Sequence, residues 1–184
     1  CIDILCNGNS TGSAIVITTG GVPPYTYLWD PGTGSQTSDT AISLTAGSYC
    51  VTVTDSNACV DSVCVNIDEP PQISLTTDSI RPSCFGDCDG SAIVNASGGA
   101  GGFTYSWNDP GLQTTDTASG LCTGIYQVTV TDANGCNDTN SVTVTEPSIL
   151  TITITDSTDA SCFGVCDGTV TGLVVGGTQP YTYT

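Results

Sequence analysis

"GSYCVTVTDSNAC" occupies Gly47–Cys59, and "GIYQVTVTDANGC" occupies Gly124–Cys136, 77 residues further on. Nine of the thirteen positions agree in place. Within the first copy Tyr49, Val51 and Val53 alternate with Cys50, Thr52 and Thr54, which is the period of a strand with one buried face. The Asp-x-Asn-x-Cys ending is turn chemistry. One chain therefore writes the same strand and turn twice, and the rest of the chain repeats with it. "CNGNSTGSAIV" from Cys6 recurs as "CFGDCDGSAIV" from Cys84 and as "CFGVCDGTV" from Cys162, at steps of 78. "GGVPPYTYLW" from Gly20 recurs as "GGAGGFTYSW" from Gly98 and "GGTQPYTYT" from Gly176. Later landmarks step by 77, among them Glu69-Pro70 to Glu146-Pro147, so one residue is lost between Trp29 and Leu44. The repeat divides the chain into 1–70, a first unit without its opening strand; 71–147, a complete unit; and 148–184, the N-terminal half of a third. This frame predicts an excerpt from a longer array.

Composition narrows the function. The 184 residues carry 18 acidic side chains and one basic one, Arg81, for a net charge of -17. Nucleic acid and anionic membrane surfaces are poor partners for that charge, because both need Lys and Arg to neutralise phosphate. Strong acidity often means disorder, but 38% of the residues are apolar and they alternate with Thr and Ser, as in a folded sheet. No apolar run of about 18 residues is present, so no membrane insertion is expected. His and Met are both absent, which removes the commonest general base and metal ligand and disfavours an enzyme. Eleven Cys belong to an oxidising compartment, and no C-x2-C zinc pattern competes with disulfides.

The complete unit reads as all-β. Strand-like runs fall at Ile73–Thr77, Ser91–Ser97, Phe103–Trp107, Tyr126–Asp132 and Ser141–Thr145, with a further strand inside Thr114–Leu121. Gly98-Gly99, Asp109-Pro110-Gly111 and Ala133-Asn134-Gly135 supply turns between them. Short strands at this spacing predict a sandwich, and two details favour the immunoglobulin-like kind. Leu44-x-x-Gly47-x-Tyr49 and Leu121-x-x-Gly124-x-Tyr126 fit a tyrosine corner, and Trp29 and Trp107 sit where that fold buries a Trp. The fold class is therefore tandem immunoglobulin-like β-sandwich repeats of about 77 residues, stapled by disulfides.

Together these landmarks resemble the SprB repeat family. Its pattern of Cys-x-Gly, Asp-Gly-[Ser/Thr], Gly-Gly before an aromatic strand, Leu-x-x-Gly-x-Tyr, the Val-Thr-Val-Thr-Asp strand and a closing Glu-Pro is matched nearly throughout by the middle unit. The first unit departs before Gly12, where the Asp is absent, and at Ala58, which stands for Gly. The resemblance implies large secreted surface proteins of gliding and biofilm-forming Bacteroidota-type bacteria, acting as adhesins or extended filaments. It carries over no catalytic residue.

The cysteines pair by position. On the strand after the turn Val63, Val65 and Ile67 are expected to face in, and a hairpin centred on Asn57 sets Cys50 opposite Cys64, both on the outer face. In the next unit the same places hold Gln127 and Ser141, so the two Cys are gained or lost together and Cys50–Cys64 is expected. Cys88 and Cys122 are likewise both missing from the first unit, where Ser10 and Thr45 stand, and Cys88–Cys122 is expected. Cys6, Cys84 and Cys162 remain to pair with the turn cysteines Cys59 and Cys136. Two schemes stay open: Cys6–Cys59 and Cys84–Cys136 within units, or Cys6–Cys136 between them. The second suits a head-to-tail array, because a disulfide needs Cα atoms within about 7 Å. Cys1, Cys162 and Cys166 have no nameable partner.

Asp87, Asp89 and Asp132 resemble calcium-loop ligands, though Asp and Asn are also turn formers. No other cofactor is expected. Asp-[Ser/Thr] triplets resemble the O-glycosylation acceptors of Bacteroidota-type secreted proteins, which makes Thr40, Ser62, Ser79, Thr117 and Ser157 candidates. The expectation is a non-enzymatic, secreted, cell-surface protein: a structural or adhesive stalk or filament. The alternative is an array of carbohydrate- or ligand-binding modules. Expected partners are neighbouring repeats, other copies in a filament, and an external surface or glycan. The Pro-rich joints at Glu69-Pro70-Pro71 and Glu146-Pro147 leave no flexible tether and predict stiffness.

Overall fold

Val, Ile, Thr and Tyr fill short runs between Gly, Pro, Asn and Asp, so strands form and turns interrupt them. The computed structural model describes all residues, 1–184. In chain order the strands are β1 (Gly12–Ile15), β2 (Thr26–Trp29), β3 (Thr40–Leu44), β4 (Gly47–Thr54), β5 (Val60–Ile67), β6 (Ser74–Ile80), β7 (Gly90–Ser97), β8 (Thr104–Trp107), β9 (Thr117–Leu121), β10 (Gly124–Thr131), β11 (Asn137–Val144), β12 (Thr151–Thr158) and β13 (Thr169–Val175), with one 3-10 turn at Pro31–Thr33. No helix is long and apolar enough to cross a membrane.

The complete repeat has two three-stranded sheets, ordered β6-β7-β9 and β11-β10-β8. Strands one, two and four of the repeat share one sheet, and strands three, five and six share the other. That is the immunoglobulin-like arrangement without its fourth strand. The first repeat shows the same plan as β1-β3 and β2-β4-β5, and the third contributes β12-β13. The chain is thus an all-β tandem of immunoglobulin-like sandwiches.

The residues gather into two compact units: Cys1–Ser74 with Ala96–Phe103 and Val130–Asp138, and Leu75–Asn95 with Thr104–Thr129 and Thr139–Thr184. In the first unit Ala14 of β1, Ala41 and Leu44 of β3, Trp29 of β2, Tyr49 and Val51 of β4, Ile67 of β5 and Ile4 form one core between the sheets. In the second unit Ala92, Val94, Trp107, Ala118, Leu121, Val128, Val142 and Val144 are buried, alternating with outward polar residues as a pleated strand requires.

Both sequence signatures have the expected geometry. Tyr49 Oη donates to the Thr45 carbonyl (3.1 Å) and Tyr126 Oη to the Cys122 carbonyl (3.1 Å), each closing a corner four residues back. The indole N–H of Trp29 donates to Ser38 O (2.9 Å) and that of Trp107 to Thr115 O (2.8 Å), so each buried indole has a partner.

Three details differ from expectation. The opening strand β6 runs on to Ile80, beyond Thr77. The closing strand β11 starts at Asn137, four residues before Ser141. Its polar start Asn137–Asn140 has no apolar alternation to read; the tight turn after β10, not burial, sets its extent. On β5 only Ile67 is buried: Val65 is half-buried and Val63 is 55% exposed. In the complete repeat the place of Val63 belongs to Asn140, whose side-chain amide donates to Leu75 O of β6 (3.4 Å). A leading strand covers this edge there, and in the first repeat only Ile2 reaches β1, through an isolated bridge to Ser13.

Candidate functional site at the repeat junction

The Cys-x-Gly segments are tight turns. Asn9 N donates to Cys6 O (3.2 Å), Asp87 N to Cys84 O (3.2 Å) and Val165 N to Cys162 O (3.2 Å). The third position takes φ of +77°, +83° and +82° at Gly8, Gly86 and Gly164, a conformation glycine adopts at no steric cost. The Glu of each Glu-Pro pair holds its own turn. Gly8 N donates to Glu69 Oε2 (2.7 Å), and Gly86 N to Glu146 Oε2 (2.8 Å). Asn7 Nδ2 adds a bond to Pro70 O (2.9 Å). The cysteine is thus presented next to the residues that lead into the following repeat.

The other end of a repeat is organised by one carboxylate. Asp132 accepts from Asn134 N and Cys136 N through Oδ1 and from Ala100 N through Oδ2, each at 2.9 Å. Asp55 repeats this with Asn57 N, Cys59 N and Val22 N. These donors hold both carboxyls below the ordinary carboxylate value, Ala100 N–H contributing most at Asp132 and Val22 N–H most at Asp55. The role could have been suspected from the Asp that precedes both turn cysteines, but its distant donors are invisible in sequence.

The two ends meet within the first unit. Cys6 is bridged to Cys136, with Cα atoms 5.5 Å apart. Asn134 Nδ2 donates to Leu5 O (2.9 Å), and Gly99 N to Pro71 O (2.8 Å). Ile73 is buried against Gly99, where an added Cβ would lie 2.9 Å from Ile73 Cγ1. A cavity of about 380 Å³ opens at this junction, lined among others by Asn7, Pro70, Asp132 and Asp138.

The other bridges are Cys50–Cys64, across a directly opposed pair of β4 and β5, and Cys88–Cys122. Cys1, Cys59, Cys84, Cys162 and Cys166 are free and exposed. The pairings Cys6–Cys59 and Cys84–Cys136 are therefore absent. Cys59 precedes β5 and the Cys6 turn is tied to Glu69 beyond it, so eight residues of strand, roughly 26 Å, keep them apart.

The calcium candidates are not gathered. Asp132 is committed to backbone donors, Asp89 accepts from Ser83 N (2.9 Å) and the Ser83 hydroxyl, and Asp87 is exposed. No group of three or more Asp, Glu, Cys or His side chains converges. Of the glycosylation candidates Ser62 and Ser157 are exposed, while Thr40, Ser79 and Thr117 are half-buried. The hydroxyls of Thr40 and Thr117 donate to Asp39 (3.0 Å) and Asp116 (3.1 Å).

Among curated proteins none matches the chain. Solved structures similar to it include the amphioxus IgVJ-C2 molecule, at 14% identity over 76% of this chain and 98% of that one, with a TM-score of 0.33. The C-terminal 282-residue fragment of intimin, in complex with the intimin-binding domain of its translocated receptor, is 19% identical over 74% of this chain and 57% of that one, TM-score 0.40. The N-terminal eight Ig domains of Down Syndrome Cell Adhesion Molecule isoform 1.30.30 are 16% identical over 85% and 23%, TM-score 0.34. The family described as SprB repeat matches residues 3–34, 76–112 and 154–184, more than half of the chain. Each match spans one Cys-x-Gly turn and the Gly-Gly segment after it, in step with the period read from the sequence, and the chain therefore belongs to the SprB repeat family.

Proposed function

We propose that this chain is a segment of an extracellular, cell-surface array with a structural and adhesive role, a stalk or filament that carries load between a bacterium and its surroundings. The observation that supports it most is the Cys6–Cys136 bridge, which joins one repeat to the next covalently. A disulfide there suits an oxidising exterior and a protein that must keep its repeats in fixed order. The repeat itself supports the reading, since arrays bury surface between neighbours and expose long sides for contact. The side chains support a non-catalytic role: there is no His, and the carboxyls with lowered pKa are held by structural donors. Ser62 and Ser157, exposed on strands, are the places where a glycan fits this role best.

The test uses intact cells. Antibody against the repeats should label unpermeabilised cells, and deleting the array should reduce attachment to a surface. Labelling only after permeabilisation, or unchanged attachment, overturns the reading. Selective, saturable binding on a glycan array would replace the structural role with a carbohydrate-recognition one.

A further inference from the structure

The chain has two Asn-Gly pairs, Asn7-Gly8 and Asn134-Gly135, and both stand at the joint inside the first unit. Asn7 follows Cys6 directly, and Asn134 lies two residues before Cys136, so one pair flanks each half of the bridge. Both side chains are amide donors to the backbone there. Asn7 Nδ2 donates to Pro70 O and Asn134 Nδ2 to Leu5 O, each at 2.9 Å. The corresponding places in the other repeats differ. The Cys-x-Gly turns read Phe85-Gly86 and Phe163-Gly164, and the turn between β4 and β5 reads Asn57-Ala58.

An Asn that precedes Gly has a reaction open to it in water alone. The nitrogen of the following residue reaches the Asn side-chain carbonyl carbon most easily when no Cβ stands beside it. That nitrogen gives up its proton and bonds to Cγ; the Cγ–Nδ2 bond breaks and ammonia leaves. Water then opens the five-membered imide at either carbonyl, which yields Asp or its β-linked isomer. Asn7, Gly8, Asn134 and Gly135 are all exposed. A Cβ built on either glycine would meet nothing within 4 Å, so the ring has room to close.

We propose that Asn7 and Asn134 form a paired deamidation site that loosens this joint as the protein ages. Each event replaces an N–H donor by a carboxylate, which then faces the carbonyl oxygen it used to serve. It also adds a negative charge to a chain already at -17. The polar contacts fail while the Cys6–Cys136 bridge holds, so a fixed contact becomes a tether. The two sites differ in rate. Gly135 N is held by the neutral carbonyl of Asp132 at 3.0 Å, and Gly8 N by the carboxylate of Glu69 at 2.7 Å. A charged acceptor keeps the proton more firmly, so Asn134 converts before Asn7. None of this rests on the adhesive reading.

The test is incubation of the purified 184-residue protein, its bridges intact, in mildly alkaline buffer, with peptide mapping by mass spectrometry at intervals. Asn57, on the equivalent turn but followed by Ala58, is the internal reference. We expect conversion at Asn134 to be many-fold faster than at Asn57, with Asn7 between them. Ala58 adopts a φ of +64°, so this turn accepts alanine, and Gly135→Ala should slow Asn134 to the rate of Asn57 without unfolding the protein. Glu69→Ala should bring Asn7 up to the rate of Asn134. Asn134→Asp should lower the urea midpoint of the first unit, whereas Asn57→Asp, at a side chain that makes no such bond, should not. Conversion at Asn7 and Asn134 no faster than at Asn57 overturns the proposal. So does an Asn134→Asp midpoint equal to that of the unaltered protein. Neither result touches the labelling or attachment of cells, so the two readings fail separately.

Discussion

Asp132 receives the N–H groups of Ala100, Asn134 and Cys136, so one side chain fixes two loops that lie 32 residues apart in sequence. Asp55 does the same in the first repeat. The Ser83 hydroxyl lowers Asp89, and the Ser161 hydroxyl lowers Asp167. At Asp109 burial raises the pKa, but the Gln113 side chain and the N–H groups of Gln113 and Gly111 outweigh it, and the net shift is downward. Every one of these groups is thus a stronger acid in the folded chain than at its ordinary value of 3.8. Their contribution to stability is complete above that value and is lost as pH falls through it toward the lowered folded values. Melting temperature should therefore hold between pH 7 and about 4.5, where easing of acidic self-repulsion also helps, and drop below about pH 3.8. A melting temperature that rises steadily down to pH 2 would refute this account. Such roles are hard to read from sequence. Asp132 looks like a calcium ligand there, because a turn that needs an acidic acceptor and a loop that needs a metal use the same letters.

At the level of the hairpin, sequence was enough. Cross-strand pairs of β4 and β5 sum to a constant because the turn is tight, so placing the turn at Asn57 sets Cys50 against Cys64. The inner face of β5 was harder, since Val63 alternates correctly yet lies at an edge that only a leading strand would cover. Third-repeat spacing has a local cause as well. The register of β12 on β13 shifts between Ile154 and Asp156, and this bulge takes up the residue that changes the step from 77 at Glu-Pro to 78 at Cys-x-Gly. Gly98 shows why the Gly-Gly segment recurs. Its φ is +78°, and an added Cβ would overlap the Gln72 carbonyl of the incoming linker. Gly176 meets Ile149 in the same way. Gly98→Ala should cost about 2–4 kcal/mol, the left-handed backbone and the backbone clash adding together. Gly101→Ala, at φ +72° with nothing nearby, should cost only about 1–2 kcal/mol. Denaturant midpoints of the two variants decide whether the close approach matters; equal losses would mean it does not.

Across the whole chain, period and fold class were legible because repetition averages out local ambiguity, and cysteines that appear or vanish in pairs mark contacts. The choice between Cys6–Cys59 and Cys6–Cys136 was not legible, because it depends on which ends of two repeats abut. The Cys6–Cys136 bridge spans a sequence separation of 130 residues and so restricts the unfolded chain far more than Cys50–Cys64, which spans 14. In the chain-entropy picture, replacing Cys6 and Cys136 together by Ser should lower the stability of the first unit by about 4–5 kcal/mol, against about 3 kcal/mol for Cys50 and Cys64. Urea unfolding of the two double variants checks the order. The same bridge has a mechanical meaning. Tension applied to the two termini enters at Cys1, reaches Cys6, crosses the sulfur–sulfur bond and leaves from Cys136, so everything from Asn7 to Gly135 hangs beside the load path as slack. Those residues could pay out roughly 450 Å of extended chain, at about 3.5 Å per residue. Pulled singly, the oxidised protein should yield none of that length before the covalent backbone itself fails, and a reducing agent should release it. The strands between the two cysteines, β1 to β10, are spared the pull that the bridge transmits, much as a carabiner lets a rope bear weight while the gear clipped to it hangs free.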